Sequence, residues 1–352
     1  MLGRELKATQ QQRVVANIDR FALNDQETGR VNYNVVMDKR TMRETDLLAF
    51  EIAIKESGVG TVMGSYNRVN GTYACDNSYL LNDLLKGAWG FKGWVMSDWG
   101  ATHSTVKSAL AGFDQEMPSG QYLGAPLKLA VEKGEVPMAR LDNMVRRILR
   151  TEFAIGILDD APEMPALNPF TDAAVAQRVA EGAIVLLKNA DGQLPLEASR
   201  GTTSIAVIGS HVDVGVISDG GSDQVDPTGG NAVPGDHATW HPSSPLAAIR
   251  DKTRGAEVRY DPGTNVAAAA KLAAASTAAI VFVHQHTEEG IDVPDLSLPE
   301  KQDDLVNGVA AANPHTSGSS TLKAHSCSVH DLPSVQESRT CSTPPGRARS
   351  AA

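Results

Sequence analysis

The 352-residue chain has 32 lysines and arginines against 42 aspartates and glutamates, a formal net charge of −10. That sign argues against a general nucleic-acid or anionic-membrane binder, which would neutralise phosphate with basic residues, and no apolar run reaches the ~18 residues of a membrane-spanning helix. With 41% hydrophobic and 21% charged residues, the composition is globular and the length suits two domains.

In chain order, the N-terminal MLGRELKATQQQ lacks the apolar core of a secretion signal, and the location of the protein is not legible. From Val14 to about Ile155 one unit repeats, an apolar run followed by an amphipathic stretch. The runs are Val14–Ile18, Gly60–Ser65, Trp94–Ser97 and Ala111–Phe113. The predicted helices are Glu44–Ser57, Ser78–Lys86, Thr105–Ala111, Pro126–Lys133 and Arg140–Ile155. Continuous apolar runs read as buried parallel strands, and their alternation with helices makes the fold α/β. Only about four such units are present, whereas a closed barrel has eight.

Residues 159–170, with Pro162, Pro165 and Pro169, read as a linker between a first domain (1–158) and a second (171–316). In the second, helices are predicted at Ala173–Lys188, Pro245–Lys252, Val266–Ser276 and Pro299–Ala311. Strands are predicted at Ser204–Ile208, Glu257–Tyr260 and Ala278–Val283. Residues 317–352 have no apolar period and read as a disordered tail, leaving the second domain incomplete. A frameshift is the alternative. Ser319 to Lys323 can be read one nucleotide out of frame from Val-Val-Asp-Leu-Glu, which would supply the strand that the last helix should feed. Cys75, Cys327 and Cys341 form no CxxC pattern, and an odd number argues against a closed disulfide framework.

Chemistry concentrates in three segments. In Gly93 to Ser104 an apolar strand ends and presents Ser97, Asp98 and Trp99. Strand ends at the C-terminal face of a barrel hold catalytic groups. A carboxylate beside an indole suits a sugar: one attacks the anomeric carbon, the other covers the pyranose C–H face. The alternative is that Asp98 caps the next helix, although Thr102 and Ser104 are better placed for that. The second segment, Val62 to Gly71, carries Tyr66, whose hydroxyl can orient a neighbouring carboxylate. Asn67, Arg68 and Asn70 follow, and Asn70-Gly71 is also simply a good turn. The third, Ile280 to Pro299, runs from a buried strand into a loop with Glu288, Glu289, Gly290 and Asp292. An acidic loop of this kind can supply a general acid opposite a nucleophile. It can equally be a solvated loop, or His284 and His286 can join Glu288 at a metal. Gly220-Gly221-Ser222 lacks the spacing of a phosphate-binding loop and reads as a substrate-facing or interdomain loop.

In order and spacing these segments resemble glycoside hydrolase family 3 over about Gln11 to Thr316. RFALNDQETGR, SYNRVNG, GWVMSDWGATHS and AGFDQEMP are similar to the later strands of its barrel, and EEGIDVPDLSLPEKQDDLV to its second domain. The resemblance implies the C-terminal part of a (β/α)₈ barrel followed by an α/β sandwich. It also implies a retaining, exo-acting β-glucosidase that releases terminal glucose by double displacement, without cofactor or metal. Asp98 matches the nucleophile and Glu289 the acid/base, with Glu288 the fallback. Tyr66 and Trp99 match residues lining the sugar subsite, with Met63 and Ser222 nearby. A β-xylosidase or a non-catalytic remnant are the alternatives; an oligomeric state is not legible. Two departures are expected to weaken the grip on sugar hydroxyls. Asp19 and Arg20 stand where the family has Lys-His, and an Asp and an Arg from earlier barrel strands are not in this chain.

Overall fold

Three of the four apolar runs of the first half become parallel strands: β1 (Asn17–Phe21), β2 (Thr61–Gly64) and β3 (Trp94–Ser97), in that order across the sheet. The computed structural model describes residues 2–159, 173–189, 192–196, 201–214, 222, 244–253, 255–285, 288–323 and 336–342. They belong to two compact units that divide within the proline-rich segment, and the linker itself lies outside the described residues apart from Asp159.

In the first unit, β1 to β3 are accompanied by α1 (Leu2–Gln11), α2 (Lys39–Glu44), α3 (Asp46–Ser57), a π-helix (Tyr79–Ala88), α4 (Val106–Ala111), α5 (Ala125–Glu132) and α6 (Met138–Ile155). Strand register aligns Ile18, Val62 and Val95 on one face. There they join one buried cluster with Leu47, Ile54, Leu80, Leu84 and Leu85 of the helices. Burying such aliphatic side chains stabilises by about 1.5–3 kcal/mol each. Met63 and Met96, paired across β2 and β3, point to the other face and are only half-buried. The strands start close together: a Cβ on Gly93 would lie 1.9 Å from the Gly60 carbonyl oxygen, so no other residue fits there.

The fourth run, Ala111–Phe113, is not a strand. Ala111 ends α4, and Gly112 at φ 103 reverses the chain. Ladder contact with β3 is a single bridge, Met96 to Gln115. What fixes this segment instead is a buried ion cluster. The Asp114 carboxylate, fully buried, accepts from Lys86 Nζ at 2.6 Å, Val95 N at 2.9 Å and Arg140 Nη2 at 2.7 Å. Arg140 also donates to the carbonyls of Ala109 and Phe113. One carboxylate thus ties β3 to the π-helix and to α6. Burial pulls Lys86 down to about 7, against the attraction of Asp114 and with the repulsion of Arg140 and Arg147.

At the start of α3, burial, a hydrogen bond shared with Asp25 and the charge of Asp25 raise Asp46 to about 6, from 3.8 when unperturbed. A carboxyl raised in the folded state binds its proton more tightly there than in the unfolded chain. Stability from this group is therefore full below about 3.8 and is lost as pH rises to about 6. Asp46→Asn is expected to raise the melting temperature at pH 7.5 but not at pH 4. Equal shifts at both pH values would contradict the shared proton.

The second unit is a six-stranded sheet of β4 (Ile184–Leu186), β5 (Ser204–Ile208), β6 (Glu257–Asp261), β7 (Ala278–His284), β8 (Thr316–Lys323) and β9 (Gln336–Ser342). The spatial order is β4-β9-β8-β7-β5-β6, all parallel except β4 against β9. Helices α7 (Ala173–Ala183), α8 (Pro245–Lys252), α9 (Val266–Ala274) and α10 (Gln302–Ala312) accompany it. Most elements fall where the periodicity predicts; the helix expected over Ala173–Lys188 instead ends at Ala183 and gives way to β4.

The larger correction concerns residues 317–352. Residues 317–323 lie in β8, directly after α10 and paired with β7 from Ala279↔Thr316 to His284↔Thr321, and 336–342 lie in β9. The strand expected after the last helix is therefore present. The reason is that a central strand is held by backbone hydrogen bonds to both neighbours, which Ser, Thr and Gly supply as well as Val does. Residues 324–335 and 343–352, including Cys327, lie outside the described residues.

Candidate active site

Asp98 is the residue after β3, 7% exposed, with its amide donating to the Gly64 carbonyl of β2 at 3.0 Å. Its carboxylate does not cap α4. Oδ1 accepts from the Tyr66 hydroxyl at 2.8 Å and from the Trp99 amide at 2.7 Å. Tyr66 follows β2 as Asp98 follows β3, so two neighbouring parallel strands deliver the pair to the same edge. Trp99, the next residue, is 53% exposed. Ser104 accepts from the Ser108 amide at 3.1 Å and takes the place near the α4 start that Asp98 does not. Met63, three residues before Tyr66, stays half-buried on the opposite face from the helix-packed valines.

Arg20, expected to cost the site a sugar contact, brings a cation to it: its Nε stands 3.7 Å from Asp98 Oδ2. Sequence reasoning missed this because the neighbour is across the sheet, at the end of β1. Cys75 lies beneath β2, its sulfur 2.6 Å from where a Cβ on Gly64 would be. Complete burial, then the charges of Asp76 and Asp98, push its thiol up. Cys75 is expected to react with a thiol reagent only on unfolding; rapid labelling of its peptide in the native protein would contradict the packing. A pocket at the opposite end of β2 and β3, lined by Gly60, Trp89, Lys92, Gly93 and Arg150, is remote from the carboxylate.

In the second unit the acidic loop after β7 is pinned by a two-residue turn. Glu288 bridges Ile291, and Gly290 takes φ 86, a left-handed value suited to glycine. Glu289 Oε2 accepts from the Ser222 amide at 2.9 Å and from the Ser222 hydroxyl. Glu289 is half-buried, whereas Glu288 is exposed. The two expected residues Ser222 and Glu289 are thus brought together from positions 67 apart. His284 meets His211, rings 4.7 Å apart, with Ser210 Oγ 3.2 Å from its Nδ1. His286, Gly220 and Gly221 lie outside the described residues. Among the described residues no group of three or more His, Cys, Asp or Glu is placed to hold a metal ion.

A carboxylate at the C-terminal end of a parallel strand, held by a tyrosine and followed by an exposed tryptophan, is an arrangement compatible with carbohydrate chemistry. The chain belongs to glycosyl hydrolase family 3: it matches the "Glycosyl hydrolase family 3 N terminal domain" over residues 1–151 and the "Glycosyl hydrolase family 3 C-terminal domain" over 184–320. A probable beta-glucosidase K of Aspergillus fumigatus is 36% identical over 282 residues, 76% of this chain and 34% of that protein. Among solved structures, beta-glucosidase D2-BGL of Chaetomella raphigera superposes with a TM-score of 0.78 at 31% identity, covering 91% of this chain and 48% of that one. DesR, a beta-glucosidase of Streptomyces venezuelae solved with D-glucose, has a TM-score of 0.83 at 25% identity, covering 98% and 59%. The chain therefore spans about a third to three-fifths of the length of these proteins.

Proposed function

We propose that the protein is a retaining, exo-acting β-glucosidase with Asp98 as nucleophile and Glu289 as acid/base. The observation that carries this reading is the Asp98 carboxylate itself: buried, fixed by Tyr66 and the Trp99 amide, and followed by the exposed Trp99. The names of the relatives support glucose as the sugar released. In the first step Asp98 attacks the anomeric carbon, and the leaving oxygen takes a proton from Glu289. In the second, Glu289 takes a proton from water, which attacks the same carbon, frees β-glucose and restores Asp98. Tyr66 and Trp99 line the sugar subsite, Met63 lies near it, and Ser222 holds Glu289.

Two measurements test the assignment. NMR of the first-formed sugar is expected to show the β-anomer; an α-anomer would exclude a retaining path. Glu289→Ala is expected to spare 4-nitrophenyl β-glucoside, whose leaving group needs no proton, and to lose disaccharide hydrolysis by about 10²–10⁴-fold. Azide should accelerate the variant by replacing the activated water. Normal disaccharide turnover by Glu289→Ala would move the role to Glu288 or elsewhere.

A further inference from the structure

Glu27 lies in the loop after β1, a position the mechanism above does not use. Its Oε1 accepts from Arg20 Nη1 at 2.5 Å and from Asn24 Nδ2 at 3.0 Å, and its Oε2 from Arg30 Nη1 at 2.8 Å. Each arginine then touches one half of the Asp98–Tyr66 pair. Arg20 Nε is 3.7 Å from Asp98 Oδ2, and the Arg30 guanidinium lies 4.2 Å over the Tyr66 ring. Tyr66 closes the circuit with its bond to Asp98 Oδ1.

We infer that Glu27 is a positioning residue: it sets two guanidinium groups, one against the nucleophile carboxylate and one against the tyrosine that orients it. The inference rests on the proposed role of Asp98. The chemistry favours it on three counts. The side chains of Arg20, Glu27 and Arg30 are 24%, 21% and 16% exposed, so water screens them only in part. Charge-assisted bonds from arginine are directional, and a guanidinium anchored at Nη1 has its Nε aimed by the same plane. Without the carboxylate the two like charges bound to it would repel, and the guanidinium planes that it fixes would turn. Arg20 Nε would then leave Asp98 Oδ2, the oxygen that Tyr66 and the Trp99 amide do not engage.

The test uses the full chain and Glu27→Gln, which keeps the shape and removes the charge. With ¹⁵N-labelled arginine, the Nε–H resonances of Arg20 and Arg30 are identified by Arg20→Lys and Arg30→Lys. Both resonances are expected to move in Glu27→Gln, and that of Arg20 to move in Asp98→Asn. On 4-nitrophenyl β-glucoside, Glu27→Gln is expected to lose about 10²-fold in kcat with KM little changed, as for a misplaced reacting group. A purely structural role would lower the melting temperature and leave the kcat of the folded fraction intact. Wild-type resonances for both arginines, or a parental kcat, overturn the inference. Should Asp98→Asn turn over at the parental rate, or the chain cleave no glucoside, the proposed activity fails. The arginine resonances then decide the positioning claim alone.

Discussion

Asp98→Asn is expected to lower kcat on an aryl β-glucoside by about 10⁴–10⁶-fold, the scale of removing a nucleophile from a site that otherwise stays assembled. The amide keeps the size of the carboxylate and can still accept from Tyr66 and from the Trp99 amide, which both meet Oδ1. It loses the electron pair that attacks the anomeric carbon and the charge that faces Arg20. Each factor of ten is about 1.36 kcal/mol of barrier, so the loss is about 5–8 kcal/mol. Tyr66→Phe removes one hydrogen bond to a charged group, about 1.5–3 kcal/mol, and should cost far less. The measurement is kcat for both variants, with a denaturant titration to show that each is folded. Turnover by Asp98→Asn within tenfold of the parent would show that another group attacks.

The largest effect on stability is expected at Asp114. Asp114→Asn should destabilise the first unit by about 3–5 kcal/mol, because it strips the counter-charge from buried cations and leaves donors unpaired. Removing Lys86 should cost less. Burial already pulls Lys86 down to about 7, so near neutrality it gives up its proton readily, and Arg140 still faces Asp114 at 2.7 Å when Lys86→Met removes the amine. Urea unfolding at pH 7.5 would rank the two. A Lys86→Met loss as large as that of Asp114→Asn would mean that the lysine, not Arg140, carries the carboxylate. The effect reaches the site, because Val95 N binds Asp114 at 2.9 Å and Val95 lies three residues before Asp98 on β3.

The order of elements and the chemistry-bearing residues were legible in the sequence because they are local properties. A run such as Trp94–Ser97 followed by Asp98 and Trp99 carries its own strand, its own end and its own reactive group. The same holds for β5 and α8, whose bounds agree with the periodicity. Glycines mark what period cannot: Gly112 turns an apparent fourth strand into the end of α4, a left-handed backbone angle that composition does not reveal. The strands β8 and β9 were not legible. A strand paired on both sides draws its stability from neighbours far along the chain, so Ser-Gly-Ser-Ser-Thr is no bar to it. The site divides in the same way. The sequence by itself determined that Asp98, Tyr66, Trp99 and Glu289 sit at strand ends and in a loop able to present them. Only the tertiary structure decided that Tyr66 rather than solvent holds Asp98, that Ser222 holds Glu289, and that Arg20 and Arg30 meet through Glu27. The Tyr66–Asp98 and Arg20–Asp98 contacts depend on the parallel register of β1, β2 and β3, set by the packing of Ile18, Val62 and Val95 on the helices, whereas Ser222 and Glu289 meet from loops 67 residues apart in the second unit, a proximity no local pattern encodes.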